Sequence, residues 1–160
     1  MAFDMFLKLD GIEGESADKT HGKEIDVLAW SWGLSQSGSF HVGGGGGAGK
    51  ANFQDISLTK WVDRATPTLM NKIATGTHIP KAKLVVRKAG KDPLEYYIVE
   101  MEQVMITSLS TGGSGGEDRL TENLTLNFAK VKVSYVPQKK DGSGDPKIEF
   151  GFDISQNTTI

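Results

Sequence analysis

The stretch Leu28-Ala29-Trp30-Ser31-Trp32-Gly33-Leu34 decides the fold, because large apolar and small side chains alternate along it. Such alternation predicts a β-strand with the large residues on one face and the small residues on the other. We expect the bulky face, with its two indole rings, to anchor a hydrophobic core. The large set is Leu28, Trp30, Trp32 and Leu34, and the small set is Ala29, Ser31 and Gly33.

The same period of two recurs on both sides of this strand. Near the N-terminus, Phe3, Met5, Leu7 and Leu9 share one predicted strand face. Further strand patterns occupy residues 83–87, 96–109, 124–128, 131–135 and 148–154, and a hairpin turn is predicted at residues 89–93. The apolar positions shift from even to odd after residue 128, as one inserted β-bulge residue would produce.

One segment departs from this pattern and predicts a helix of about ten residues. Thr66-Pro67 supplies a cap followed by proline at the first helical position, and Gly76 suits the left-handed residue after a helix end. Between them, Leu69, Met70 and Ile73 recur at helical spacing. The chain is therefore predicted to be all-β with one short flanking α-helix. Short strands whose edges need partners favour a closed or nearly closed barrel.

Length and composition fit one domain, residues 1–160, and exclude several classes of protein. The formal net charge is −2, whereas a nucleic-acid binder would show a basic excess or a basic face. No apolar run approaches the roughly 20 residues of a membrane-spanning helix. The chain has no cysteine, which excludes disulfides and thiolate chemistry. The N-terminus lacks the features of a classical export signal, so we expect synthesis as a cytoplasmic chain and, if it leaves the cell, another route.

Glycine is concentrated in two predicted loops. The first loop ends like a phosphate-binding loop, but Ala51 replaces the Ser or Thr that would hold Mg²⁺, so we expect a mobile contact loop. The second loop surrounds Ser114 in a nucleophile-elbow pattern, yet every histidine precedes this serine, whereas in that fold the histidine follows. The first loop comprises Gly43, Gly44, Gly45, Gly46, Gly47, Ala48, Gly49 and Lys50.

Residues that could hold a metal or perform catalysis do not form a recognisable set. His21, His41 and His78 are scattered singly between charged or turn residues, whereas metal motifs group their ligands. The acidic turn at residues 141–145 lacks the glycine and the bidentate glutamate of a calcium loop. We therefore expect no catalytic residue, no metal site and no cofactor.

Four ordered segments resemble the haemolysin-coregulated protein (Hcp) family, which forms the tube of bacterial type VI secretion systems. The resemblance spans nearly the whole chain, and its motifs are highly specific in their order. The segments are DMFLK at residues 4–8, GES at 14–16 with Asp18 and His21, IDVLAWSWG at 25–33, and GGSGGEDRLTENLTLNF at 112–128.

The resemblance implies a fold and an assembly. The expected fold is a β-barrel of two sheets with a short flanking helix and an extended glycine-rich loop. The expected assembly is a homohexameric ring, with rings stacked into a hollow tube inside a contractile sheath and behind a spike. The tube would be secreted without a cleaved signal peptide, and its lumen would carry or protect effector proteins. Neither nucleic-acid binding nor membrane insertion is implied.

Two assignments follow when this ring is combined with the strand pattern. If Trp30 and Trp32 face the core, Ser31 and Ala29 face out of it, and we expect these two small residues to line the lumen and contact effectors. The glycine-rich loop at residues 43–50 is expected to order on an adjacent ring or subunit, with an entropy cost that keeps stacking reversible.

Two other readings stay open from the sequence alone. The chain could be a monomeric β-barrel that binds carbohydrate or another ligand through Trp61, Tyr96 and Tyr97 on an exposed face. An ATP-binding enzyme built on residues 44–50 is the more distant alternative.

Overall fold

Residues 3–38 and 49–160, which a computed structural model describes, form ten β-strands and one α-helix. The predicted glycine-rich loop lies largely outside these ranges. Gly43, Gly44, Gly45, Gly46, Gly47 and Ala48 are not among the described residues, whereas Gly49 and Lys50 are. In chain order the elements are β1 (Phe3–Leu9), β2 (Ile25–Ser31), β3 (Leu34–Ser35), β4 (Asn52–Phe53), β5 (Ile56–Trp61), α1 (Thr66–Thr75), β6 (Ile79–Lys88), β7 (Leu94–Thr111), β8 (Thr121–Tyr135), β9 (Ile148–Asp153) and β10 (Thr158–Thr159).

Six strands close into a barrel, which confirms the predicted all-β class with one flanking helix. The strands follow the order β8, β5, β2, β1, β6 and β7, and β7 pairs back with β8 to close the circle. All of these pairings are antiparallel. Strands β9 and β10 extend the sheet outward from β8, while β3 and β4 form a separate small sheet.

The barrel has two walls, the first formed by β2, β5, β8 and β7 and the second by β1, β6, β7 and β8. Strands β7 and β8 therefore belong to both walls. The first half of β8 pairs with β5 and the second half with β9, while β7 runs beside both halves. The predicted change of parity is present, since Phe128 and Val131 are both buried. The predicted bulge at this point is wrong, because Val104 and Met101 of β7 pair with these residues in an unbroken register. Both strands change parity together where they pass from one wall to the other, beside Gln103 with its positive φ of 53°.

The strand that decides the fold packs as predicted only in part. Trp30 and Trp32 pack against the core, and Trp30 stacks on Tyr97 with ring centroids 5.5 Å apart. The prediction that Leu28 and Leu34 share their buried face is wrong, because both side chains are exposed. The register of β2 against β5 shifts between Val27 and Ala29, and Leu28 is the extra residue, turned outward. Leu34 lies outside the barrel, in the small β3–β4 sheet.

The helix confirms its predicted position with two corrections. Leu69 is fully buried and Ile73 packs against the core, but Met70 is exposed. The N-cap is Ala65 rather than Thr66, which is already helical and turns its hydroxyl into the interior. The helix ends as predicted, because Gly76 adopts the left-handed conformation at a φ of 66°.

A buried ionic cluster joins the helix to the barrel. Lys60 of β5 and Glu122 of β8 lie directly opposite each other and are almost inaccessible to solvent. The Lys60 ammonium donates to Glu122, to Asp63 at 3.0 Å and to the Trp61 carbonyl at 2.8 Å. The Thr66 hydroxyl donates to the same Glu122 carboxylate at 2.7 Å. The cluster therefore fixes the corner between β5 and α1.

A second charged group holds the β1–β2 loop against strand β6 of the second wall. Arg87 of β6 donates to both Asp18 carboxylate oxygens at 2.7 and 3.1 Å, and to Asp4 at 3.1 Å. The backbone N–H groups of Thr20 and His21 also donate to Asp18. The hydrogen bond from Arg87, helped by these backbone donors, holds the pKa of Asp18 well below its usual range.

Breaking the buried cluster should cost much more stability than breaking an exposed ion pair. We expect Glu122→Gln to lower the free energy of unfolding by about 3 kcal/mol, because the buried Lys60 ammonium loses its main counter-charge. The control is Glu149→Gln, which removes the partner of the exposed Lys132, 3.0 Å away, and should cost less than about 1 kcal/mol. Urea unfolding measures both variants, and equal small losses would contradict the assigned role.

The Arg87–Asp18 contact predicts a loss of stability in acid. Because the folded pKa of Asp18 is depressed, its contribution is complete above the unfolded value of roughly 3.9 and is lost as the pH falls below it. Asp18→Asn should be less stable than the parent at pH 7 and should lose less stability between pH 5 and pH 2. Thermal unfolding across this range tests it, with exposed Asp92→Asn as the control that should keep the parental profile.

Candidate functional site

The outward face of the first wall, formed by β2, β5, β8 and β7, carries small polar side chains in two rows across four strands. We call it the hydroxyl face. One row aligns Ser31, Ser57, Thr125 and Ser108, and the other aligns Ala29, Thr59, Asn123 and Ser110. None of these eight residues is charged.

Strand alternation explains why polar residues collect on this face. Ile56 and Leu58 of β5 and Leu124 and Leu126 of β8 point into the core and are fully or almost fully buried. Successive side chains on a strand point to opposite sides, so the residues between them point outward. The antiparallel register then places those residues side by side as a continuous surface.

The side chains of the hydroxyl face largely satisfy one another. Thr125 Oγ1 lies 2.7 Å from the Thr107 hydroxyl and 2.5 Å from the Ser108 hydroxyl. The Thr59 hydroxyl donates to Asn123 Oδ1 at 2.8 Å. The face is therefore polar, but several of its hydrogen-bonding groups already have partners within the chain. It suits weak and varied contacts better than the tight capture of one ligand.

Charges stand at the two ends of the hydroxyl face. At the start of β5, the Asp55 carboxylate accepts hydrogen bonds from Thr107 at 2.7 Å and Asn127 at 2.9 Å. At the end of β5, the Arg119 guanidinium lies 4.3 Å from the centre of the Trp61 ring.

The outer face of the second wall, formed by β1, β6, β7 and β8, has the opposite character. Lysines and glutamates alternate across its strands: Lys83 pairs with Glu100, and Glu100 pairs with Lys132. The hydrogen bond from Lys132 lowers the pKa of Glu149 on β9. A groove of about 400 Å³ opens among these charged side chains. The barrel thus presents one uncharged and one strongly charged outer face.

The structure places Ser31 and Ala29 on an exposed outer surface, but their assignment to a lumen remains a prediction. Sequence reasoning missed the rest of the hydroxyl face. The alternation of Ser57 and Thr59 with buried leucine and isoleucine was a usable signal for single strands. Their alignment with Ser31 depends on pairings that no local pattern specifies.

The three aromatic residues of the alternative ligand-binding reading do not share one face. Tyr97 turns inward against Trp30, and burial raises the pKa of its phenol. Tyr96, its neighbour on the strand, instead contacts Phe3 at 5.8 Å between ring centroids. Trp61 lies under Arg119. These residues therefore form no common stacking platform for a sugar.

Residues with potential for catalysis are tied into structural contacts. The buried His21 ring stacks on Phe6, and its two nitrogens lie 3.0 Å from Glu24 and 2.7 Å from Glu95. Ser114 lies in an exposed loop. Across residues 3–38 and 49–160, no three His, Asp or Glu side chains are placed to hold a metal ion. In the same ranges, no helix has the length and apolarity needed to cross a membrane.

Comparisons with known proteins agree on one family. The family described as "Type VI secretion system effector, Hcp" matches residues 6–135. Protein hcp1 of Pseudomonas aeruginosa is 60% identical over 159 residues, which is 98% of each chain. The crystal structure of Hcp1 from Salmonella typhimurium is 36% identical with a TM-score of 0.81, covering 100% of both chains. A type VI secretion system effector from Yersinia pestis is 36% identical with a TM-score of 0.77, covering 94% of this chain and 99% of that one.

The fold and these similarities lead to the same assignment. The family match covers most of the chain, and the full-length relatives share the barrel as well as the sequence. Hcp proteins are secreted by type VI systems. The chain belongs to the Hcp family of type VI secretion system proteins.

Proposed function

We propose that this chain is a structural subunit of the type VI secretion tube. Six copies close a ring, rings stack into a hollow exported tube, and the hydroxyl face lines the lumen, where effector proteins are carried and protected. The observation that carries the proposal is the uncharged surface that runs in register across four strands of one wall. Residues 1–160 act as one domain in this assembly, and no reaction or cofactor is assigned to it.

The chemistry of the hydroxyl face suits a conduit. Short side chains such as Ser31 and Ala29 leave room in a lumen, and paired hydroxyls such as Thr125 and Ser108 offer few strong unsatisfied contacts. A protein moving over the two rows meets charge only at their ends, at Asp55 and Arg119. Cargo is therefore retained by many weak contacts and released when the tube comes apart.

The charged outer face of the second wall suits the outside of the same tube. It lies on the opposite side of the barrel from the hydroxyl face, so it faces away from the lumen. In this proposal, its alternating lysines and glutamates form the contacts with the sheath and spike proteins. The glycine-rich segment at residues 43–50, of which Gly49 and Lys50 are described, is proposed as a contact between rings or subunits.

The ring predicts a specific mass in solution. Six copies of the 17.3 kDa chain weigh about 104 kDa, and native mass spectrometry should show this species as the main form at micromolar concentration. Electron microscopy of the same sample should show rings with an open centre. A chain that stays at 17.3 kDa at every concentration would favour the monomeric alternative.

Enlarging one hydroxyl-face residue should weaken cargo retention while leaving the ring intact. In Ser31→Gln, a longer side chain enters the proposed lumen, and we expect several-fold less effector protein to co-purify with rings from the source bacterium. The matched control is Ala74→Gln on the exposed surface of α1, which should retain effectors like the parent. Quantitative mass spectrometry of the co-purified proteins, with native mass as the check on assembly, measures both. Equal effector retention in the two variants would contradict the assignment of Ser31 to the lumen.

A further inference from the structure

We propose that the loop at residues 112–120 of one copy docks on an aromatic patch at the far end of a second copy. The aromatic patch consists of Phe3, Tyr96, Tyr135 and Ile148. The inference rests on the proposed function, because it names a contact through which copies of the chain meet. The loop supplies two carboxylates and an exposed leucine, and the patch supplies apolar rings with Lys88 against one of them.

The aromatic patch is contiguous and open to solvent. Ring centroids lie 5.8 Å apart between Phe3 and Tyr96 and 6.4 Å apart between Tyr96 and Tyr135, while Ile148 pairs directly with Tyr135 across the sheet. Phe3 is 46% exposed, Tyr135 44% and Ile148 66%. Adjacent apolar side chains exposed to this degree are typical of a surface that a partner covers.

The sheet around the patch is also incomplete. Strand β10 pairs with Phe152 and Asp153 of β9, and the Ile160 N–H donates to the Gly151 carbonyl at 3.2 Å, so the β9 edge at residues 148–150 lies beyond these contacts. Phe150, on the same strand face as Ile148, is exposed too. The barrel core thus reaches the surface here through side chains that the rest of the described chain leaves open.

One lysine contacts the aromatic patch and another lies in the adjoining turn, which also holds the exposed Asp92. The Lys88 ammonium lies 5.0 Å from the centre of the Tyr96 ring. Lys91, three residues after Lys88, is exposed in the turn that joins β6 to β7. A partner that combines apolar and acidic groups would satisfy both parts of this surface.

The loop at residues 112–120 has the complementary chemistry. It is exposed throughout, and it carries Glu117, Asp118 and Leu120 close together. Neither carboxylate forms an ion pair with any residue in the described ranges. The base of the loop is held in place, because Arg119 lies over Trp61 and the Leu120 carbonyl accepts the Val62 N–H at 2.8 Å.

The loop cannot reach the patch of its own chain. The loop joins β7 to β8, whereas Tyr96 and Tyr135 lie at the opposite end of that hairpin. Tyr135 lies 14 positions after Thr121 on β8, which corresponds to roughly 45 Å of strand. The partner is therefore a second copy, meeting the first through two different surfaces in a head-to-tail contact, which is the kind that closes rings or extends stacks.

A charge swap tests the contact. Glu117→Lys with Asp118→Lys should lower the assembled fraction at least tenfold in native mass spectrometry and electron microscopy. Lys88→Glu with Lys91→Glu should by itself lower the assembled fraction to the same extent. A chain that carries all four substitutions should assemble again. The charge-matched control is Asp10→Lys with Glu13→Lys, two exposed acids elsewhere, which should assemble like the parent.

A second pair of variants tests the apolar part. Ile148→Ser should lower assembly, whereas Met70→Ser, an exposed apolar residue on α1, should not. Circular dichroism confirms that each variant is folded. If the parent forms rings and the variants assemble equally well, this contact is overturned but the proposed function stands. Failure of the swapped chain to recover would overturn the assigned pairing, and a parent that stays monomeric would overturn both proposals.

Discussion

The long antiparallel pairing of β7 with β8, which is interrupted by one register shift between Ile106 and Ser108, is the constraint on which the rest of the molecule depends. On its other side, β8 pairs with β5 as far as Leu126 and with β9 from Lys130 onward. Between these two residues the register of β8 against β7 stays constant. Each strand changes the side it turns to the core at the same rung, beside Gln103. The two walls are therefore covalently continuous, and neither can shift relative to the other without breaking the hairpin.

Two outer surfaces of opposite character follow from this arrangement. In the two rows of the first wall, most outward residues are small hydroxyl and amide side chains, as at Ser57 and Thr125. The outward residues of the second wall include alternating lysines and glutamates, as at Lys83 and Glu100. A barrel with such distinct faces has a built-in inside and outside once copies are arranged in a circle.

Much of the fold could be predicted from the sequence, and the exceptions have clear physical causes. Alternation and the Thr66–Gly76 signals located most strands and the helix, because these patterns act over a few residues. Leu28 was misplaced because a bulge reverses parity without changing composition. Lys60 and Glu122 were missed because burying a charge depends on a partner 62 residues away. The hydroxyl face was predicted only on β2, since its rows form through pairing across strands.

The mutual hydrogen bonds of Thr125, Thr107 and Ser108 leave these hydroxyl groups less dependent on water. Water bound to such groups is easily displaced, because they do not depend on it for their hydrogen bonds. The eight residues of the two rows are also uncharged, so they attract no counterions of their own between Asp55 and Arg119. Contacts made with the side chains of these two rows should accordingly depend little on ionic strength.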